Sequence, residues 1–102
     1  MSLTIKTPAD LQAEAVARAK ASITRAIDAH VEAQAKALDY NSAAHLASYD
    51  ASSVPEWAAE AQAFVAWRDS VWQAAIAMLA NAEASSEAPS VEDVLAAIPE
   101  WK

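Results

Sequence analysis

Two histidines, His30 and His45, are the only imidazoles in the chain, and there is no cysteine. No His-x3-His pair occurs, so the usual ligand spacing of a zinc site is missing. Thiolate chemistry and a disulfide framework are excluded with the cysteines. No glycine is present either, which removes the loops that let a backbone approach phosphates. The serines stand mainly at turns and ahead of helix-like runs, where a hydroxyl satisfies free amides. A serine nucleophile needs a positioned base, and only His45 lies near a serine cluster. These residue types point away from an enzyme, a cofactor or a metal.

The residues with most to contribute are Arg68 and the tryptophans. Arg68 falls within an apolar run beside Phe64, Val71 and Trp72. A guanidinium taken out of water must be paired. One reading is a clamp, in which Arg68 pairs with Asp39 or Asp50, or bonds carbonyls at a helix end, while stacking on a tryptophan. The other is an anchor for a partner's carboxylate. Trp57, Trp67 and Trp72 span about half a helix circumference, more than one neighbouring helix covers. One of them is therefore expected at the surface, and Trp67 is the choice. Trp101 follows Pro99 closely and either seals the fold or belongs to a docking tail.

The element that must carry these groups is a helix over about 54–84. Its heavy positions, Trp57, Ala61, Phe64, Val71, Ala75, Leu79 and Ala82, recur at the spacing of one helical face. Val65 and Trp72 flank that stripe on one side, and Trp67 and Met78 on the other. Ser53-Val-Pro-Glu56 has the spacing of a capping box, with proline in the first turn.

A second long helix is expected over about 8–38. Thr7-Pro8-Ala9-Asp10 supplies a cap, a proline suited to the first helical position and an acid at the positive helix end. Its stripe is Val16, Ala19, Ile23, Ile27, Val31 and Leu38. Glu14–Arg18 and Glu32–Lys36 are spaced as ion pairs on the opposite, solvated face. Before Ile23 the stripe thins to alanines and Val16, with Lys20 inside it. This end either overhangs the core or meets another helix closely, and homo-oligomerisation through it stays open. Two short helices complete the chain, about 43–49, with Leu46 and Tyr49 inward, and 91–98, with Val91, Val94, Leu95 and Ile98 on one edge. Asp39-Tyr-Asn-Ser42 joins the first two helices, Asn tolerating a left-handed backbone and Ser or Asn capping well.

The expected architecture is all-α: an antiparallel hairpin of two long helices with two short helices packed across it. Residues 1–6 form a flexible arm or docking strand, and residues 7–102 a single domain. The core is expected to contain Ile23, Ile27, Trp57, Phe64, Val71, Trp72 and Leu79. A chain of 102 residues has room for one core and a stability of about 5–10 kcal/mol. The net charge of −7 leaves no basic footprint for nucleic acid. No stretch is apolar enough to span a membrane, and the N-terminus lacks a signal peptide's apolar run, so a cytosolic protein is expected.

Several fragments together resemble a known family. They are Ala26-Ile-Asp-Ala-His30 with Tyr40-Asn-Ser-Ala43, Val54-Pro-Glu-Trp-Ala-Ala-Glu60, Phe64-Val-Ala-Trp-Arg-Asp-Ser-Val-Trp72, and Pro89-Ser-Val-Glu-Asp-Val-Leu95 followed by Ile98-Pro99. Over about residues 20–102 the chain is similar to a small helical family of tailed bacteriophages and prophages, found among tail-fibre assembly and tail accessory proteins. Members can carry a fibre-related or β-rich segment in front of this part; here about six residues precede the first helix. The resemblance implies a non-enzymatic protein that binds a tail fibre or a neighbouring tail protein in the host cytoplasm during assembly. It brings no catalytic residues. A structural part of the tail or baseplate and a generic helical adaptor are the alternatives. Trp67, Arg68, Trp101, Val16 and Lys20 are the candidate partner-binding residues.

Overall fold

A computed structural model describes residues 5–85 and 87–102. Four helices follow in order: α1 (Pro8–Ala37), α2 (Ala43–Ala47), α3 (Pro55–Ser85) and α4 (Val91–Ala97). The two long helices form an antiparallel hairpin, α2 crosses its closed end, and α4 packs against both long helices. No strand occurs among the described residues.

The helix ends explain why the chain divides here. Thr7 and Asp10 form a reciprocal capping box, with Asp10 N–H donating to Thr7 Oγ1 at 3.1 Å and Thr7 N–H to Asp10 Oδ2 at 3.0 Å. Two of the free amides at the helix start are thereby satisfied. At the other end of α1, Tyr40 N–H reaches Ala35 O at 3.1 Å and Asp39 N–H reaches Lys36 O at 3.0 Å. That paired closure needs a left-handed residue between them, and Asp39 supplies it at φ 70°. Glycine is the usual occupant, and this chain has none. The left-handed position therefore falls on Asp39 and not on Asn41.

α2 is capped twice. Ser42 Oγ accepts from His45 N–H at 3.0 Å, and Glu32 of α1 accepts from Ala43 N–H at 3.2 Å. Glu32 is thus drawn toward the start of α2, and Glu14 pairs with Lys6 at 2.6 Å. The expected pairs with Lys36 and Arg18 are replaced by these contacts. α3 begins one residue later than its sequence motif suggests. Val54 O accepts from Ala58 N–H at 3.0 Å, which places Pro55, not Val54, at the first helical position. Glu56 then comes second, and the Ser53 box does not close; Ser52 Oγ instead holds Val54 N–H at 3.1 Å. Ser90 Oγ caps α4 by accepting from Asp93 N–H at 3.0 Å.

The core lies between the long helices. Ile23, Ile27, Val31 and Ala35 of α1 meet Ala61, Phe64, Trp67, Val71, Ala75 and Leu79 of α3, with Leu46 from α2 and Val94 and Ile98 from the C-terminal segment. Burying each large apolar side chain contributes about 1.5–3 kcal/mol. Fully buried alanines at 35, 61 and 75 leave room for the helices to approach. Trp72, expected inside, is only partly buried against this cluster. Trp57, also expected inside, is 49% exposed. It sits in the first turn of α3, near the hairpin's closed end, where α1 has already ended, and its ring lies 5.4 Å from that of Tyr49.

The molecule is long, with extents of 61 × 31 × 19 Å and a radius of gyration of 17.8 Å, against about 13 Å for a compact chain of this size. The first turns of α1 account for part of this. Residues 8–13 are all exposed, and Leu11 is 53% exposed, so this end overhangs the core. Residues 1–4 of the expected arm lie outside the described residues, and Ile5 and Lys6 are exposed.

Candidate functional site

The candidate residues separate into three places. Trp67 and Trp101 belong to one internal aromatic group. Trp67 is 7% exposed, which corrects the expectation of a surface indole. Its ring lies 5.8 Å from Phe64, 5.7 Å from Trp101 and 5.7 Å from His30. Its indole N–H donates to Pro99 O at 2.9 Å. A buried indole finds a partner in this way, and here the partner is the backbone just after α4. Trp101, partly buried, also lies 6.2 Å from Phe64. Of its two readings, its packing matches the seal: beyond α4 it lies against Phe64 and Trp67 of α3.

Arg68 is not the internal clamp of its first reading. Its Nε and Nη2 donate to Asp69 Oδ1 at 3.1 and 3.0 Å, and about a third of its side chain is in water. It pairs with neither Asp39 nor Asp50. The reason is geometric: its stem lies along the edge of the stripe and its flexible end turns outward to the next residue. An exposed pair of this kind is worth at most about 1 kcal/mol.

Val16 and Lys20 lie together. They line a groove of about 360 Å³ with Ala9, Gln12, Ala13, Ala17 and Glu83, between the overhanging part of α1 and the end of α3. Lys20 Nζ crosses to Glu83 Oε1 at 3.1 Å. The groove floor is small and apolar and its rim is charged. This end of the molecule is also set apart electrically. The first 25 residues hold four cations, Lys6, Arg18, Lys20 and Arg25, against two acids, Asp10 and Glu14, while residues 26–102 hold three cations against twelve acids.

Two features were not read from the sequence. Ile76 is 61% exposed, and a smaller groove of about 190 Å³ lies beside it, lined by Lys20, Leu79, Ala80 and Glu83. Its signal was available, since Ile76 follows Trp72 by one helical turn on the flank of the α3 stripe. The other is an aromatic group at the closed end. His45 Nε2 and Tyr49 OH are 3.1 Å apart, and the rings of Tyr40, His45 and Tyr49 lie within 5.3–6.1 Å of one another. Desolvation first, and then the nearby Glu60 carboxylate, raise the Tyr40 phenol above its ordinary value. The rings fill this region by packing on each other, an arrangement that ties α2 to both long helices.

No group of three His, Cys, Asp or Glu side chains is placed to hold a metal among the described residues. No helix there is long and apolar enough to cross a membrane. No family model, curated protein or solved structure matches this chain. Two surface features stand out: an apolar groove crossed by the Lys20–Glu83 ion pair, and an open helical face beside Ile76.

Proposed function

We propose that this chain is a non-enzymatic binding module of phage tail assembly, which docks on a tail-fibre or neighbouring tail protein during assembly in the host cytoplasm. The tail context rests on the resemblance carried by Val54–Glu60 and Phe64–Trp72. The docking reading rests on one observation, the open groove of Ala9, Ala13, Val16 and Ala17 under the Lys20–Glu83 bridge. An amphipathic helix lays its apolar side into such a groove.

The test is co-expression with a tail-fibre protein from the same phage or prophage, followed by size-exclusion chromatography with light scattering. The expected result is one co-eluting complex that Ala13→Glu disrupts while the fold persists. Separate elution of the two proteins overturns the proposal. Mass spectrometry of purified virions then distinguishes an assembly factor, absent from the particle, from a structural part of the tail or baseplate.

A further inference from the structure

Of the four tryptophans, Trp57 alone is exposed, at 49%, whereas Trp67 is buried and Trp72 and Trp101 are partly buried. It stands on the core stripe of α3, four residues before Ala61 and seven before Phe64, where α1 no longer covers that stripe. The ring is held all the same. Tyr49 meets it edge-on at 5.4 Å and 63°. Tyr49 is held in turn by His45, whose Nε2 is 3.1 Å from its hydroxyl and whose ring is 5.3 Å away, and by Tyr40 at 5.9 Å. The aromatic group of the closed end thus backs a surface indole. An aromatic fixed before contact gives up little freedom on binding.

The charge around this indole has one sign. Residues 37–67 contain four carboxylates, Asp39, Asp50, Glu56 and Glu60, and no lysine or arginine. Glu56 precedes Trp57 by one residue and Glu60 follows it by three, which sets both on one flank of the indole at about 60–100° around the helix. On the other flank, Gln62 Nε2 donates to Asp50 O at 2.9 Å and brings Asp50 against α3. Glu60 is engaged by the Tyr40 hydroxyl. The ion pairs among the described residues are Lys6–Glu14, Lys20–Glu83 and Arg68–Asp69, so Glu56 and Asp50 have no lysine or arginine partner there. Of the cations that bracket this stretch, Lys36 follows buried Ile27 by nine residues and so lies on the outer side of α1. Arg68 is three turns further along α3 and already paired.

We propose that Trp57 is a docking platform for an arginine of a basic partner segment, with the guanidinium stacked on the indole and its N–H groups donating to the carboxylate of Glu56. Arginine satisfies both halves of this surface, because its plane stacks on an aromatic face while its edge carries the donors. An apolar partner would take Glu56 and Asp50 out of water unpaired, which is costly. An acidic one would meet like charge. Lysine supplies the charge without the flat face. This reading goes beyond tail-fibre docking, and it concerns the opposite end of the hairpin from the Val16 groove.

The probe is a capped tetra-arginine peptide, titrated at low salt into the protein while the indole N–H signals are followed by NMR. The Trp57 signal, identified as the one lost in Trp57→Phe, is expected to move and saturate with a Kd below about 1 mM, while that of Trp67 stays in place. Tetra-lysine is expected to bind at least about fivefold more weakly. Trp57→Ala should weaken tetra-arginine binding at least about fivefold, and Glu56→Gln at least about twofold, both with helicity unchanged by circular dichroism. A Trp57 signal unmoved at about 5 mM peptide overturns the proposal. So does tetra-lysine binding as tight as tetra-arginine, or binding that Trp57→Ala or Glu56→Gln leaves intact. The comparison of the two peptides and the Glu56→Gln arm stand even if Trp57→Ala fails to fold. No tail protein takes part, so this result is independent of the one that tests tail-fibre docking.

Discussion

The indole N–H of Trp67 donates to the carbonyl oxygen of Pro99 at 2.9 Å. This bond joins the middle of α3 to the segment that follows α4. It turns a side chain expected at the surface into the fastening point of the C-terminal segment.

Trp67→Phe keeps most of the buried ring but removes the donor. We expect a loss of about 1–2 kcal/mol, because the Pro99 carbonyl loses its partner. Trp67→Ala is expected to cost about 3–5 kcal/mol through the cavity it leaves. Urea unfolding of the two variants measures both; equal, small losses would show that the indole is not packed as described.

Arg68→Ala is expected to change stability by less than about 1 kcal/mol, since its partner Asp69 is adjacent and half in water. Its thermal midpoint should lie close to that of the parent protein. A loss of several kcal/mol would mean that the guanidinium is buried after all.

Asp39 holds a left-handed backbone at φ 70°. Asp39→Gly is expected to be more stable than Asp39→Ala by about 1 kcal/mol, because only the alanine carries the steric cost of that conformation. Paired denaturation curves for the two variants test this, and the reverse order would contradict the closure described for α1.

Asp10 is held below the ordinary carboxylate range, first by the hydrogen bond from the Thr7 amide and then by that from the Thr7 hydroxyl. A carboxyl whose folded pKa is depressed contributes stability above its unfolded pKa of 3.8 and loses it as pH falls through the folded value. The first turn of α1 is expected to loosen as the solution is acidified below that range. Amide exchange or backbone chemical shifts at residues 8–12 report it. Asp10→Asn should remove the pH dependence; an unchanged profile in that variant would assign it to another group.

Periodicity and caps made most of the architecture legible. The α1 and α3 stripes and the Thr7, Ser42 and Ser90 caps depend on local rules, and the helix ends fall within a residue or two of where those rules place them. The tryptophans were harder because a helical stripe says which side is apolar, not which neighbour covers it. α4 covers the Trp67 side, so Trp67 is enclosed, while Trp57 stands past the end of α1 and is left at the surface. Arg68 misled for a related reason: its Cα sits in the stripe, but its long side chain ends outside it. The open surface around Ile76 likewise depends on which side α4 covers, and the groove at Val16 on how far α1 runs past the core, neither of which a local pattern encodes.

The Trp67–Trp101 pair has an optical consequence. Two indoles 5.7 Å apart and inclined at 81° are expected to couple their strong far-ultraviolet transitions into a dichroic couplet. That signal exists only while the C-terminal segment is in place. Trp57, half in water, emits as a solvated indole whether or not the segment is docked. The molecule thus carries its own label-free reporter, by which release of its last helix can be watched separately from melting of the hairpin.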